Sequence, residues 1–493
     1  MGSQSKTPFG DYLLRTKEVG YVERIMQSVV EVVGLPGLRL GEATVFDTGQ
    51  VGMTIYLGKN YSEVLVLASE PVRVGSQVAR TGYQFSVPAS ESMLGRTVNA
   101  LGRAVREPAL PEGEDSWQIV ERTPYDISQR RRINRQLETG VVMMDMLVPL
   151  GMGQRELVIG DRKTGKSTLL SQAVLNQARK GTICVYAAIG KKMTDIVKIE
   201  EFLMQPDIKD KAVMVATSSR DSAGEIYLCP FTAMTIAEYF RDKGKDVLVI
   251  MDDMTAHSEF YRELSLLMRR FPGRESYPGD IFHTHSKLIE RAGNFAVKLP
   301  EGEKEVSITC LPVVESVQGE MAGYIETNIM SMTDGHVYFD YELYFKGRRP
   351  AINPFVSVTR VGRQTQTVLQ RNVQQYLLNL LNTYEKTQGF LKFGAELGEN
   401  SRQVLTLGDK VLSYFNQPEY CMVPTNLQMA LLGLLLSGLW NGQFIEKAVN
   451  LYVSDTGFKG VVDQVVDGAS TVEDLMAKSR GQAQLFSQAL SQG

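Results

Sequence analysis

The spacing of apolar residues changes character twice along the chain and marks out three regions. In the first, Glu42–Asp47, Val51–Leu57 and Tyr61–Ala68 are short runs rich in β-branched residues. They are separated by Thr48-Gly49-Gln50 and Gly58-Lys59-Asn60. Alternation in the third run sets Val64 and Val66 on one face and Leu65 and Leu67 on the other. Short strands with glycine-bearing turns predict a small β-barrel or sandwich over residues 1–85. The alternative is a β-rich extension of the next region. There, Leu157-Val158-Ile159, Cys184–Ile189, Ala212–Ala216 and Val247–Met251 are apolar runs, with a helical stretch at Ser167–Arg179. Such alternation predicts an α/β domain with a mainly parallel sheet over residues 86–365. In the last region Leu369, Val373, Leu377, Leu380 and Tyr384 recur at helical spacing. Thr425–Trp440 is helical and apolar, and Ser470–Gln492 is an amphipathic, polar tail. An α-helical bundle over residues 366–493 is expected.

Length agrees with this division, because 493 residues exceed a single hydrophobic core. The longest apolar stretch, Met429–Trp440, is broken by Gly433, Ser437 and Gly438 and is too short to cross a bilayer. It reads as a core helix. Met1–Thr16 lacks the apolar segment of a signal peptide. With 53 basic against 56 acidic residues the net charge is −3, which argues against a surface built as a nucleic-acid footprint. Arg130-Arg131-Arg132 with Arg135 lies in a connector carrying Pro108, Pro111 and Pro124 and reads as solvated surface. Cys184, Cys229, Cys310 and Cys421 are scattered without metal spacing, as in a chain from a reducing compartment.

The strongest chemical signal is Gly160-Asp161-Arg162-Lys163-Thr164-Gly165-Lys166-Ser167, followed by Thr168. It fits GxxxxGK[ST], with an apolar strand before it and a helix after it. Glycines let successive backbone N–H groups curl around phosphate oxygens, and the helix N-terminus aims its positive end at them. Lys166 is expected on the β- and γ-phosphates of ATP or ADP, and the Ser167 hydroxyl on Mg²⁺. The strand Val247–Met251 ends in Asp252-Asp253, and Asp252 is expected beside the metal. Hydrolysis also needs a group to orient the attacking water. The strand Cys184–Ile189 instead ends in Gly190-Lys191-Lys192. An ammonium at Lys191 is no base at neutral pH; it more simply holds phosphate. The chain reads as equipped to bind Mg-ATP and poorly equipped to cleave it.

Beyond the phosphate loop, Tyr239–Asp253, Pro272–Ala292, Thr327–Gly335 and Lys346–Gly362 complete a pattern over nearly the whole chain. In these stretches it closely resembles the α (non-catalytic) subunit of the rotary F-type ATP synthase. That resemblance implies an N-terminal β-barrel, a central nucleotide-binding P-loop domain and a C-terminal helical domain. It implies an alternating hexamer with catalytic β-type subunits, around a central-stalk γ-type subunit. It also implies a peripheral stalk and a membrane sector that moves ions. The complex would be peripheral, on the cytoplasmic face of a bacterial-type or organellar energy-transducing membrane. Residue by residue, it places Arg349-Pro350 against the adenine, Gln417 near the purine, and Arg360 across the interface as a trans charge in the neighbour's catalytic site. Phe271-Pro272-Gly273-Arg274-Glu275 matches a loop that faces the central stalk.

The chain departs from the family at several points. Lys191 stands where α subunits carry Gln and catalytic subunits carry Glu. Lys163 replaces a usual Gln, so that with Arg162, Lys166 and Lys191 the site is unusually basic. Gln417-Pro418-Glu419 replaces a Gln-x-Gln element. Against the resemblance, the N-terminal helix that docks the peripheral stalk is expected to be reduced or altered. A stand-alone P-loop motor, such as a secretion ATPase or nucleic-acid translocase, is the competing class; it needs a water-positioning carboxylate of its own. A rotary-derived machine doing other work is a third. His283-x-His285 lacks a third metal ligand, and Met143, Met144 and Met146 read as adaptable packing.

Overall fold

The computed structural model describes residues 8–68, 70–106, 116–392, 398–440 and 445–486. Pro108 and Pro111 of the connector, Met1–Thr7 and the tail beyond Phe486 lie outside the described residues. Two compact units are present. One comprises residues 1–131, 181–314 and 322–332; the other comprises 132–180, 315–321 and 333–493.

The first unit opens with a helix, Pro8–Thr16, and six strands: β1 (Gly20–Met26), β2 (Val29–Val33), β3 (Glu42–Phe46), β4 (Val51–Leu57), β5 (Ser62–Val66) and β6 (Gln77–Gln84). They close into a barrel in the order β1-β2-β5-β4-β3-β6, so the sequence choice between barrel and sandwich is settled as barrel. Closure leaves no unpaired edge to recruit another chain. Val64 and Val66 join Val22, Val30, Val32, Phe46 and Val78 inside. Leu65 and Leu67, on the opposite face, are also buried, so β5 has no solvent side. Phe9 of the first helix packs on Val45 and Ala79.

The same unit carries a parallel sheet in the order Gly302–Glu315, Val247–Asp252, Ile183–Lys191, Ala212–Ser218, Arg96–Val98. Gly293–Leu299 lies antiparallel on the first of these. The three apolar runs read from sequence in this unit are its central strands. Parallel pairing requires crossovers, which Met193–Leu203 and Ala223–Asp242 provide. Ala223–Asp242 starts at a capping box between Ser222 and Glu225, and nearly all of its residues are buried. Within the basic run Arg131 and Arg132 are exposed, as read from sequence, with Arg131 in a surface pair with Glu303 (2.8 Å), while half-buried Arg130 donates from Nη1 to the Ala292 carbonyl (3.1 Å).

Two buried histidines in this unit make a pH prediction. His257 Nε2 lies 3.0 Å from the Tyr227 carbonyl, an acceptor, and so carries its hydrogen there. His257 Nδ1 then accepts from His285 Nε2 at 3.0 Å, and His285 Nδ1 is left without a partner among the described residues. Burial pulls His257 from the ordinary value of 6.5 down to about 4, and burial beside His257 pulls His285 well down too. Between pH 6.5 and 4 the unfolded chain binds protons that the folded chain refuses, so stability falls as pH drops through that window. His257 accounts for about 2 kcal/mol of loss by pH 5. Urea midpoints at pH 7 and pH 5 measure it. In His257→Gln the difference is expected to shrink.

The second unit holds a short sheet with Glu156–Gly160 parallel to Gly335–Phe339, which pairs antiparallel with Val358–Thr359. Its helices follow the sequence pattern. Val368–Lys392 buries Leu369, Val373, Leu377 and Tyr384, but its fourth core position is Leu381 rather than Leu380, one residue closer to the i, i+4 register. Thr425–Leu436 is buried on all sides, as a core helix should be. No helix among the described residues is long and apolar enough to cross a membrane.

Candidate functional site: a phosphate-binding loop and an exposed arginine

The strand Glu156–Gly160, wholly buried, delivers the chain to the phosphate loop. Gly165 is the N-cap of the helix Lys166–Arg179 and adopts φ +100°, a conformation that a Cβ would penalise. The turn is therefore built by sequence, and it points the helix N-terminus into the loop. Lys166 is folded back with Nζ donating to the carbonyls of Gly160 (2.6 Å) and Asp161 (2.7 Å). Thr164 Oγ1 donates to the Asp161 carbonyl at 2.8 Å, and the Asp161 carboxylate accepts from Ser316 Oγ (2.5 Å) and Gly319 N (2.9 Å). Arg162, Lys163 and Ser167 are exposed, and Thr168 is half-buried. The loop thus presents cations and a hydroxyl outward while its polar backbone is tied down.

Sequence reasoning missed one residue here. Glu315 ends its strand beside the loop and pairs with Arg162 Nε at 2.5 Å. A carboxylate does stand near the phosphate loop, although not at the strand end where one was sought. The Arg162 side chain is 82% exposed, so the pair adds less than about 1 kcal/mol. It orients Glu315 toward a cation more than it stabilises the fold. The signal available in sequence was only a Glu at the end of an apolar run.

Arg349 and Pro350 are half-buried. The Arg349 guanidinium lies 3.7 Å from the Tyr344 ring centroid and donates to the Tyr344 carbonyl at 2.9 Å. Its backbone N–H donates to Asn416 Oδ1 (2.9 Å), and its carbonyl accepts from Gln417 N (2.9 Å), so these two sequence-distant segments do come together. The Gln417 side chain is engaged elsewhere. Its Oε1 accepts from Val142 N (2.9 Å), and its Nε2 donates to the carbonyls of Gly140 (2.8 Å) and Cys421. Contact with a purine would require Gln417 to give up these buried bonds. Pro418 and Glu419 are exposed.

Arg360 follows the strand Val358–Thr359. Its backbone N–H donates to the Asp334 carbonyl at 3.0 Å, and Asp334 is itself clamped by Arg155 through two bonds of 2.7 and 3.1 Å. Thr359 Oγ1 donates to the Pro149 carbonyl at 3.0 Å. A Cβ at Gly362 would sit 1.6 Å from that same carbonyl, so only glycine permits the approach. On this fixed backbone the Arg360 side chain is exposed and makes no hydrogen bond or ion pair among the described residues. Its charge acts on Glu156, whose carboxyl burial pushes well up.

In the other unit, Lys191 lies beside Asp252 and Asp253. Its Nζ is 2.7 Å from Asp252 Oδ1 and 3.2 Å from Asp253 Oδ2. Tyr186 Oη donates to Asp252 Oδ2 at 2.7 Å, and Asp253 Oδ1 caps the next helix by accepting from Ala256 N at 2.6 Å. Burial alone would lower the lysine, but the two carboxylates outweigh it and hold Lys191 above its ordinary range. The two Asp252 oxygens that a metal would use are therefore already engaged, one by an ammonium. As arranged, this carboxylate pair does not fit a divalent cation.

Among the remaining candidates, His283 is exposed and His285 buried, on opposite sides of one helix. Phe271–Glu275 is an exposed loop, with Phe271 96% exposed. Met143, Met144 and Met146 are buried in the helix Val142–Leu147.

A strand–loop–helix with this glycine geometry and an inward lysine defines a P-loop nucleotide-binding protein. Residues 140–359 match the nucleotide-binding domain of the ATP synthase alpha/beta family. The chain is 39% identical to ATP synthase subunit alpha of Clostridium acetobutylicum over 420 residues, 85% of this chain and 82% of that protein. It is 38% identical to the same subunit of Caldanaerobacter subterraneus subsp. tengcongensis over 83% of this chain and 80% of that protein. For Wolinella succinogenes the figures are 37%, 84% and 82%. The chain belongs to the family of ATP synthase alpha subunits.

Proposed function

We propose that the chain is the nucleotide-holding, non-catalytic partner in a rotary ATP synthase and completes its neighbour's catalytic site with Arg360. In this reading Gly160–Thr168 grips ATP or ADP, with Lys166 on the phosphates and Ser167 as the residue that would hold Mg²⁺. The ion, when bound, neutralises phosphate charge. Arg349 and Pro350 face the adenine, and Gln417 braces them from behind through Gly140 and Val142. Residues 1–85, 86–365 and 366–493 act as barrel, nucleotide-binding and helical domains. The chain alternates with β-type subunits in a hexamer, with Phe271–Glu275 toward a γ-type central stalk. A peripheral stalk holds that ring to a membrane sector, on the cytoplasmic face of an energy-transducing membrane. The assembled complex couples ADP and phosphate condensation to ion flow.

The observation that carries this reading is Arg360: a guanidinium left exposed on a backbone held by Asp334 and Thr359. An exposed guanidinium with no hydrogen bond or ion pair among the described residues, on a held backbone, is suited to a phosphoryl group supplied by another subunit. Glu315 favours a second reading, in which the chain hydrolyses ATP by itself. Glu315 faces Arg162 in an exposed pair that does not hold it away from water, so turnover by the purified chain decides between the readings. The purified chain is expected to show no sustained ATP turnover. Brisk turnover that disappears in Lys166→Ala and in Glu315→Gln would establish the second reading in its place.

A further inference from the structure

A buried carboxyl group braces the strand that leads to Arg360. Three strands of one unit set Glu156, Gly335 and Thr359 side by side: Glu156 is in register with Gly335, and Gly335 with Thr359. Gly335 leaves the space between its neighbours open. A Cβ there would stand 2.7 Å from Glu156 Oε2 and 2.9 Å from Oε1, and would meet the Val358 carbonyl as well. The Glu156 carboxyl therefore lies over the glycine, between its own strand and the one that ends at Arg360. Gln154, fully buried, joins the pieces. Its Nε2 donates to Glu156 Oε2 (2.6 Å) and to Thr359 Oγ1 (3.1 Å), and its Oε1 accepts from Gly151 N (2.7 Å).

Glu156 Oε1 is buried and has no hydrogen-bond partner among the described residues. An ionised carboxylate in that position is costly, and protonation removes the charge. Burial holds the carboxyl well above the usual range; Asp334 adds to this, while the Gln154 bond and the Arg360 charge oppose it. Asp334 is itself clamped by Arg155. His336, next to Gly335 on its strand, projects to the opposite face, and its own burial keeps it neutral at pH 7.

The two states of the carboxyl act differently on Arg360. A neutral Glu156 gives the guanidinium nothing to turn toward, and it stays exposed, as observed. An ionised Glu156 presents Oε1 as a buried anion in need of a donor, and a guanidinium following the adjacent strand can supply one. Such pairing withdraws Arg360 from its outward position.

We propose that Glu156 is the positioning residue of Arg360: braced on Thr359 through Gln154, its carboxyl group decides whether the guanidinium stays outward for the neighbouring subunit or is drawn back against its own strand. The inference rests on the trans role given to Arg360 under Proposed function.

Two measurements test this. On the purified full-length chain, infrared spectra recorded as pH rises follow the protonated-carboxyl band that Glu156→Gln removes. The band is expected at neutral pH. Its midpoint is expected to move to higher pH in Arg360→Ala, because the cation that favours ionisation is gone. In the reconstituted complex, turnover of Glu156→Gln divided by that of wild type is expected to rise more than about threefold between about pH 7 and about pH 9, because glutamine cannot ionise and draw Arg360 back. The ratio cancels titrations elsewhere in the complex, and a merely structural role lowers it equally at every pH. A band absent at neutral pH, a midpoint indifferent to Arg360, or a flat ratio overturns the inference. A flat ratio beside collapsed turnover in Arg360→Ala leaves the trans role standing without it. Normal turnover in Arg360→Ala removes the trans role and the inference together. If Glu156→Gln fails to fold, the comparison of wild type with Arg360→Ala decides: no protonated-carboxyl band that shifts between them overturns the inference.

Discussion

Alanine at Arg360 is expected to lower multisite ATP turnover of the reconstituted complex by roughly a thousandfold or more, while the complex still assembles. The two halves of this expectation have separate physical grounds. Assembly persists because the side chain is exposed and makes no ion pair among the described residues. Removing such a group shifts stability by no more than about 0.5 kcal/mol. The backbone bond to Asp334 survives the substitution, since it uses the main-chain N–H. Turnover falls because a trans guanidinium meets phosphoryl charge only as that charge redistributes. Arg360→Lys is expected to rescue little, because a point charge does not reproduce a planar fork. Steady-state hydrolysis measured beside native mass checks both halves. A complex that keeps its normal rate with alanine at this position removes the trans role.

Lys166→Ala is expected to weaken nucleotide retention by the purified chain on the order of a hundredfold, through loss of charge-assisted bonds to phosphate. Nucleotide content after desalting, wild type against variant, measures it. Lys166 is 7% exposed and bonds to the carbonyls of Gly160 and Asp161. Its removal therefore also loosens the loop at some cost in stability. A thermal melt separates the two effects: a folded variant with undiminished retention would falsify the assignment of the loop.

Local patterns carried much of this fold. The runs read as Tyr61–Ala68, Val247–Met251 and Cys184–Ile189 each became a strand, Ser62–Val66, Val247–Asp252 and Ile183–Lys191, with side chains buried on both faces. Val29–Val33, valine at four of five positions, was passed over despite a strong signal, whereas other missed strands had weaker ones. Gly302–Glu315 begins with charged, exposed residues and becomes apolar only in its second half. Gly335–Phe339 is short and starts at a glycine. Gln77–Gln84 is mostly polar and owes its place to closure of the barrel against β1 and β3. Leu381 replaced Leu380 in the helical core for a similar reason: spacing defines a stripe, and the neighbouring helix decides which edge of it is covered.

By itself, the sequence determined the phosphate loop, since its glycines and lysine at this spacing fall between an apolar strand and a helix. It also determined family membership and the order of barrel, α/β region and helices. Only tertiary structure decided what several polar and charged side chains do. The Lys191 ammonium was read as a hand for phosphate and lies on Asp252 and Asp253. The Gln417 amide was read as a purine contact and holds the backbone at Gly140 and Val142. Glu315 entered the site unannounced. Each outcome depends on pairing residues tens to hundreds of positions apart, and a charge takes its role from the partner that folding brings to it.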